Sequence, residues 1–340
     1  MMGFNRKHLV ILVLTIAIAA FLSFYKLDYY IYQPGDTTSL TDVVEIEGTE
    51  RSEGQFNLVT VRGGQATPIY YGWAMLQDHY DIVDLEEVRP EGISQEEYME
   101  TQLHYMENSQ EAATVVAYEA ADADITIDYN GTFVAGVLSD MPASDVIEPG
   151  DEIIAINGQA IESTNDIIER TSSFDMGDTI DVTLLREEEE MNVSVELAPL
   201  PQEPERPGMG VSLVTDRDVS VEPEVEYDSG QIGGPSAGLM FALEVYNRLT
   251  DEDLTNGLNI VGTGEIDYNG QVGPIGGIDK KIVAAEEDSA DLFFAANENG
   301  REGSNYEVAQ KTAEEIDASF EVVPVDTFQD AVEYLESMEN

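Results

Sequence analysis

Residues 233–240 read GGPSAGLM, in which glycines and a proline make a sharp turn before a run of helix-forming residues. This pattern places the hydroxyl of Ser236 at a helix N-terminus, where backbone N–H groups lack partners within the helix. Such N–H groups can stabilise an oxyanion during acyl transfer. A serine at this position can also be an N-capping residue, and the segment alone leaves both interpretations open.

A second glycine-rich turn lies downstream and carries basic residues. Residues 263–266 read TGEI, and residues 270–283 read GQVGPIGGIDKKIV, so a turn leads into a helix that bears Lys280 and Lys281. The chain has only five lysines, which makes an adjacent pair unusual. No histidine accompanies either segment. A lysine whose pKa is lowered by burial can act instead as the base for a serine nucleophile.

Together the two segments resemble the proteolytic domain of the Lon family, which uses a serine–lysine dyad. The resemblance extends over about residues 208–340. It implies that Ser236 is the nucleophile, that Lys281 is the base, and that Thr263 orients the lysine. Lys281 matches rather than Lys280 because the family lysine is the fourth residue after the Gly-Gly pair. The resemblance also implies that the turn and oxyanion site include Gly234, Pro235 and Ala237.

The dyad chemistry leads to expectations about the charged side chains near the base. Lys281 must be neutral in an apolar pocket to accept a proton, and neighbouring carboxylates would raise its pKa. We therefore expect the acids next to the motif to point away from the Lys281 amine; these are Asp279, Glu265 and Asp267. Lys280 is interpreted as a solvated helix position that can pair with an acid.

The chain differs from ATP-dependent Lon proteins in two respects. It has no G-x-x-x-x-G-K-[ST] phosphate-binding loop, so we expect no role for ATP and no cofactor. An acidic residue that is common two positions before the family's proline is replaced here by Gly233. A metal site is not expected either, because the chain has no cysteine and its three histidines do not form a ligand cluster.

Residues 125–198 form a β-rich segment with its own turn signals. The run PGDEII at 149–154 and the turn at Asn157-Gly158 resemble a PDZ domain of the bacterial protease type. A PDZ domain binds a peptide as an added strand and holds its C-terminal carboxylate with backbone N–H groups of a loop. By position, the resemblance places this loop at Tyr129, Asn130, Gly131, Thr132, Phe133 and Val134. Alternatively, the module only packs against the catalytic unit or gates it.

The remaining organisation predicts an α+β multidomain protein. The stretch 199–207 holds four of the 13 prolines and is interpreted as a linker, after which the Lon-like domain occupies 208–340. Residues 26–124 read as strands followed by a helical segment. The strands within 40–75 are too few to form a domain alone. We therefore expect them to complete the protease sheet, with the PDZ-like segment inserted between its two parts.

An uncharged apolar run extends over residues 9–25, at the short end of the length that spans a bilayer. Basic residues precede it in the segment 1–8, and no acidic residue occurs before Asp28. This asymmetry predicts a cytoplasmic N-terminus at 1–8, a single transmembrane anchor at 9–25 in the cell membrane, and an extracellular body. The alternative is a cleaved signal peptide, with a cleavage site near Ala19 and secretion of the body.

The net charge of the chain is −54, from 15 Lys and Arg against 69 Asp and Glu. Such a chain would be repelled by a phosphate backbone, which excludes nucleic-acid binding as a main function. An acidic surface stays hydrated in high salt, where screening removes the cost of self-repulsion. The composition therefore indicates a halophilic acidic surface rather than an acidic binding function.

The order of these parts resembles the membrane-anchored, PDZ-containing Lon-like proteases of Gram-positive bacteria. The resemblance implies an ATP-independent serine endopeptidase that cleaves exported or membrane-associated polypeptides at the outer face of the cell membrane. A homo-oligomer remains open, since Lon-like domains often form rings. The alternative function is a non-catalytic, membrane-tethered PDZ adaptor that binds peptides beside a degenerate protease unit.

Overall fold

The structure is a computed structural model that describes residues 6–49, 51–89, 92–187, 189–201 and 206–338. The helices of this part of the chain are α1 (Arg6–Phe24), α2 (Pro68–Ala74), α3 (Leu85–Val88), α4 (Gln95–Ala120), α5 (Thr164–Ser172), α6 (Gly238–Leu249), α7 (Ile278–Glu287), α8 (Asn305–Glu315) and α9 (Phe328–Met338). The strands are β1 (Tyr29–Ser39), β2 (Val44–Ile46), β3 (Gln55–Gln65), β4 (Asp81–Asp84), β5 (Asp124–Val137), β6 (Glu152–Ile156), β7 (Gln159–Ala160), β8 (Thr179–Arg186), β9 (Glu189–Glu196), β10 (Ala198–Pro199), β11 (Pro207–Gly208), β12 (Val211–Glu222), β13 (Val225–Tyr227), β14 (Asn259–Gly262), β15 (Glu265–Ile266), β16 (Val272–Gly273), β17 (Leu292–Ala296) and β18 (Glu321–Val325).

The chain divides into two compact units. The first unit consists of Met1–Ile125 together with Val221–Asn340, and the second unit is Thr126–Ser220. The second unit therefore interrupts the first in sequence. Each unit has its own hydrophobic core, and the α+β fold class agrees with the sequence prediction.

A six-stranded sheet with the order β18-β17-β14-β3-β1-β4 forms the centre of the first unit. The strands from β18 to β3 are parallel, whereas β1 pairs antiparallel with both β3 and β4. In the parallel pairing of β3 with β14, Phe56 lies opposite Ile260. Strands that precede and follow the second unit in sequence therefore share one sheet.

Helices cover both faces of this sheet because successive strand residues point to opposite sides. On one face, Ile260 and Phe294 belong to the core that α4, α6 and α9 bury. On the other face, Val261 and Phe293 belong to the core beneath α7 and α8. Strand β17 is buried along its whole length, as a central parallel strand between two helical layers requires. The sheet thus brings α6 and α7 to opposite faces of β14.

Helix α4 begins at a capping box. The N–H of Ser94 donates to a carboxylate oxygen of Glu97 at 2.7 Å, and the N–H of Glu97 donates to the Ser94 hydroxyl at 3.1 Å. This exchange satisfies two N–H groups that the first helical turn leaves free. The C-terminal half of α4 is buried and packs against α6.

The second unit contains a sheet with the order β12-β5-β6-β8-β9, and β7 pairs with β6. Its core includes Ile153, Val182 and Val195, which alternate with outward-facing residues along their strands. Helix α5 begins at a capping box in which Ser163 is the N-cap, and it buries Ile167 against the same core.

The predicted boundary at the proline-rich stretch was wrong. Strand β10 pairs antiparallel with β11, so the stretch 199–207 joins two strands inside the second unit; residues 202–205 lie outside the described part. Strand β12 then extends the second unit's sheet, and Met209 is buried in its core. The Lon-like part of the chain therefore begins near Val221 rather than at residue 208. Segment 208–220 is held in the second unit by apolar packing that the proline content did not reveal.

Helix α1 contains most of the uncharged apolar run. It has 19 residues, an 18-residue window of mean hydropathy 2.2, and no buried side chain. By length and composition it could cross a membrane, and an N-terminal signal sequence has the same properties.

Candidate active site

The turn before α6 presents Ser236 two residues ahead of the helix. Gly234 has a φ of +94°, which a side chain would strain, and its N–H donates to the carbonyl oxygen of Gln102 at 2.7 Å. The hydroxyl of Ser109 donates to the carbonyl oxygen of Pro235 at 2.9 Å. Both supporting residues lie on α4. This helix therefore fixes the conformation of the turn.

Lys281 reaches the same point from α7. Helix α7 begins after Gly277, which has a φ of +71° and leaves little room for a Cβ beside Val61. The Nζ of Lys281 lies 2.8 Å from the Oγ of Ser236 and 2.7 Å from the Oγ1 of Thr263. The three side chains that the sequence singled out are thus brought together.

Two consecutive hydrogen bonds link the Lys281 amine through Thr263 to the backbone of Ser236. The hydroxyl of Thr263 donates to the carbonyl oxygen of Ser236 at 2.8 Å, so the lone pairs of its Oγ1 face Lys281. An N–H of Lys281 can then donate to Thr263. When the amine is neutral, its lone pair is free to accept the Ser236 hydroxyl proton.

Burial gives Lys281 the ionisation behaviour that a base requires. The residue is only 3% exposed, and desolvation lowers the pKa of its amine to about 7. The negative charge of Glu265 acts in the opposite sense and raises the pKa of Lys281. Burial also raises the pKa of the Glu265 carboxyl itself. The desolvation effect is the larger of the two on Lys281, since the net change is downward.

The expectation that three acids point away from Lys281 was right for two of them. The Asp279 carboxylate lies 3.0 Å from the Nζ of Lys280, and the Asp267 carboxylate accepts backbone N–H groups within its own turn. Glu265 is different, because it lines the same cleft as Lys281 and interacts with it. The β15–β16 hairpin places Glu265 there, which the chain order of the motif did not reveal.

Lys280 is not the solvated residue that the sequence suggested. It is 1% exposed and forms ion pairs with Asp279 and with Asp81 of β4. The reason is that α7 packs on β1 and β3, so both neighbouring lysines face protein rather than solvent. Its pairing with an acid was predicted correctly.

A cleft of about 690 Å³ in the first unit opens onto the dyad. Ser236, Lys281 and Glu265 line its polar part. Its apolar and aromatic lining includes residues of β1, β3 and α4 and of the loop before the serine turn: Tyr30, Tyr32, Val59, Val61, Tyr98, Met99, Met106 and Ile232. Ser236 therefore lies at the wall of a cleft that is lined by both polar and apolar side chains.

The residues predicted to form the oxyanion site differ in whether they have a free backbone N–H. Gly234 cannot provide a free donor because its N–H already donates to Gln102, and Pro235 has no N–H. Within the described ranges, no hydrogen bond occupies the backbone N–H of Ser236 or of Ala237. These two groups lie at the N-terminal end of α6, where the helix dipole also favours negative charge.

The predicted peptide-binding loop of the second unit was wrong as a loop. Residues 129–134 lie within β5, and Thr132 and Val134 are buried. The N–H of Val134 donates to the carbonyl oxygen of Asp151 at 2.8 Å, and the N–H of Gly150 donates to that of Val134 at 2.8 Å. The N–H of Val134 is thus already bonded to the turn before β6 and is not free to bind a carboxylate.

Sequence reasoning missed the residues of α4 that support the turn. Ser109 is 126 positions before the proline whose carbonyl it binds, and no local motif links Gln102 or Ser109 to the serine segment. The available signal was weak: Ser109 is one of several small or polar residues on the buried half of α4.

Two family models match the chain. Residues 218–336 match the Lon protease (S16) C-terminal proteolytic domain, and residues 101–197 match the PDZ domain. The Lon match coincides with the part of the first unit that holds Ser236, Thr263 and Lys281. The chain contains a PDZ domain and a Lon-type serine-peptidase domain. We refer to the two parts below as the PDZ domain and the Lon domain.

Curated relatives agree with the Lon assignment. The Lon protease of Campylobacter jejuni is 35% identical over 102 residues, which are 30% of this chain and 12% of that protein. Lon protease 2 of Bacillus subtilis is 33% identical over 102 residues, covering 30% of this chain and 16% of that protein. The chain therefore spans only a small fraction of the length of these relatives.

Among solved structures, the PDZ domain of an SdrC-like protein from Listeria monocytogenes is 31% identical. The match covers 26% of this chain and 93% of that one, with a TM-score of 0.24.

Proposed function

We propose that the protein is an ATP-independent serine endopeptidase in which Ser236 is the nucleophile and Lys281 the general base. The observation that carries this proposal is the position of the Lys281 amine. It is buried and lies within hydrogen-bond distance of both Ser236 and Thr263. A lysine with a pKa of about 7 is poised to exchange protons at neutral pH.

The proposed reaction is acyl transfer in two steps. Neutral Lys281 takes the hydroxyl proton as Ser236 Oγ attacks the peptide carbonyl carbon, and a tetrahedral oxyanion forms. The lysine ammonium then gives this proton to the departing amine nitrogen, which leaves an ester on Ser236. A water molecule, deprotonated by Lys281, hydrolyses the ester, and the proton returns to Ser236.

The oxyanion would be stabilised by the free N–H groups of Ser236 and Ala237. Both sit in a turn that Gln102 and Ser109 already hold in place, so they need no reorganisation when charge develops. The N-terminus of α6 adds a favourable partial charge at the same point.

The absence of a phosphate-binding motif from the sequence supports independence from ATP. Without energy-driven unfolding, suitable substrates are unfolded or flexible polypeptides. We propose that α1 anchors the chain in the cell membrane with a cytoplasmic N-terminus and an extracellular body, so that the substrates are exported or membrane-associated polypeptides. The PDZ domain is proposed to bind these substrates or to gate their access.

Cleavage of an unfolded polypeptide in high salt, without ATP, tests the catalytic proposal. Wild type should cleave, whereas Ser236→Ala and Lys281→Ala should not. Lys311→Ala is the matched control, because Lys311 is an exposed lysine on α8 whose loss leaves the cleft intact. Equal cleavage by wild type and both dyad variants would contradict the catalytic proposal.

A further inference from the structure

Helix α2 and the residues after it present an exposed apolar surface in the first unit. Ile69, Trp73, Met75 and Leu76 are 58, 56, 67 and 79% exposed, and we call these four residues the α2 patch. Residues 63–77 contain no charged residue, although 25% of the whole chain is charged. An uncharged apolar surface of this kind marks an interaction site rather than ordinary solvent-exposed surface.

The opposite side of α2 is firmly attached to the fold. Ala74 is buried with Ile31 in a small core, against which Tyr70 and Tyr71 pack. The ring of Tyr71 also lies 5.1 Å from that of Tyr29, measured between centroids. The outward direction of the α2 patch is therefore set by packing, and the patch cannot turn inward without breaking this core.

The α2 patch lies beside the end of the apolar helix α1. The N–H of Leu27 donates to the carbonyl oxygen of Ala66 at 2.9 Å, and the Gln65 side-chain amide donates to the carbonyl oxygen of Leu27 at 2.9 Å. Helices α1 and α2 are in contact. Since consecutive Cα atoms are 3.8 Å apart, the Cα of Ile69 lies within about 11 Å of that of Ala66.

These distances place the α2 patch where a bilayer would end. The apolar run of α1 stops at Tyr25 and Lys26, and a headgroup layer is only roughly 5–8 Å thick on each side of the hydrocarbon core. Tryptophan and tyrosine are the residues enriched at this depth. A strongly acidic body is repelled by anionic lipids, so an uncharged segment is the surface best suited to contact them.

We propose that the α2 patch docks on the boundary between headgroups and acyl chains of the membrane that α1 spans, with Trp73 as the central anchor. This inference rests on the membrane anchoring proposed above. Docking would give the first unit, which contains the Lon domain, a second attachment point and hold it at a fixed orientation. Strand β3 ends at α2 and also lines the cleft through Val59 and Val61, so the cleft would be kept close to membrane-associated substrates.

The single tryptophan of the chain makes a direct experiment possible. The full chain is reconstituted in phosphatidylcholine vesicles, recovered by flotation, and examined by Trp73 fluorescence. One vesicle sample contains lipid brominated at a shallow position of the acyl chain, and the other contains unbrominated lipid. We expect Trp73 emission to be blue-shifted from that of the urea-unfolded chain and to be mostly lost in the shallow-brominated vesicles.

The matched control moves the tryptophan to the opposite edge of the same sheet, near β17 and β18. In the double variant Trp73→Phe with Gln310→Trp, the reporter lies at an exposed position of α8, which packs on β17 and β18 rather than on β1. Its emission should be the same in brominated and unbrominated vesicles. This comparison separates docking at α2 from general adhesion of the body to lipid.

The outcomes separate docking from anchoring. If the chain fails to float with vesicles, the anchoring proposal fails and the docking inference falls with it. If the chain floats but Trp73 emission is water-like and insensitive to bromine, docking is overturned while anchoring stands. A blue-shifted emission that ignores bromine and reverts on dilution would show that a second copy covers the patch, which also overturns the inference.

Discussion

The buried Nζ of Lys281 lies 2.7 Å from the Oγ1 of Thr263, and the hydroxyl of Thr263 is in turn committed to the carbonyl oxygen of Ser236. Thr263 therefore accepts from the lysine and cannot donate to it. A neutral Lys281 amine can then turn its lone pair toward the serine hydroxyl. It also ties the strand end that carries Thr263 to the turn that carries Ser236.

The first prediction concerns Thr263 as a positioning residue. Thr263→Val keeps the shape but removes the acceptor, so kcat should fall, by less than the roughly 10²–10⁴-fold loss expected for removing a general base. KM for a peptide substrate should change little, because Thr263 does not line the cleft. Thr263→Ser retains the hydroxyl and should recover most of the activity. A serine variant as impaired as the valine variant would indicate a packing role instead.

The second prediction concerns the pH dependence of cleavage. The base is active when neutral, so kcat/KM should fall as the pH drops through the Lys281 pKa of about 7 and level off above it. The charge of Glu265 raises the pKa of Lys281, and Glu265→Gln should therefore move this limb to lower pH. Asp267→Asn is the control, since the Asp267 carboxylate faces its own turn. A limb that stays in place or moves to higher pH in Glu265→Gln would contradict the assignment.

The third prediction is that burial of the Lys281 amine lowers the free energy of unfolding. The folded pKa of Lys281, about 7, lies below its unfolded value, so the unfolded chain binds more protons between about pH 7 and pH 10. Desolvation of this amine therefore destabilises the fold most at pH 7 and below, and the cost diminishes as the pH rises through that window. Lys281→Met should raise the free energy of unfolding at pH 7 by on the order of a few kcal/mol.

Denaturant unfolding of wild type and Lys281→Met at pH 7 and at pH 9.5 measures this cost. The difference between the two proteins should be smaller at the higher pH. The opposite trend, or a methionine variant less stable than wild type at pH 7, would show that the amine is not desolvated as proposed.

The fourth prediction concerns the turn before the serine. Gly234→Ala places a side chain at a φ of +94°, which costs about 1–3 kcal/mol of backbone strain. The turn should relax and displace Ser236, so cleavage should fall sharply while the secondary structure is retained. Gly276→Ala is the matched control, because it lies in the same cleft, has no positive φ and has open space around its Cβ. Equal activities of the two variants would refute the role of the turn.

The parts of the site that sequence reasoning identified depend on local chemistry. The backbone has a positive φ at Gly234, before Ser236, and at Gly277, before the helix of Lys281. The sequence indicates both turns directly, because glycine is the residue that adopts a positive φ without strain. A neutral lysine was expected because the serine nucleophile needs a base and no histidine accompanies the motif. The support from Gln102 and the field of Glu265 arise from packing between distant segments, which no local pattern encodes.

The two errors in the second unit have a common physical cause. A proline-rich stretch looks the same whether it joins two domains or two strands, and the burial of Met209 decides the matter only in the folded chain. Similarly, the PDZ resemblance placed a loop at residues 129–134 by position, but these residues lie within β5. In both places the local structure is set by long-range strand pairing, which the sequence pattern does not show.

The central claim is that Lys281 is a neutral base beside Ser236, and the titration of its amine tests this most directly. Because the chain has only five lysines, ¹³C labelling at lysine Cε gives few NMR signals, and Lys281→Met assigns the one in question. We expect that signal to titrate with a midpoint of about 7. If the signal lost in Lys281→Met instead titrates near the ordinary lysine value of about 10.4, the amine is charged at neutral pH and the proposed mechanism is contradicted.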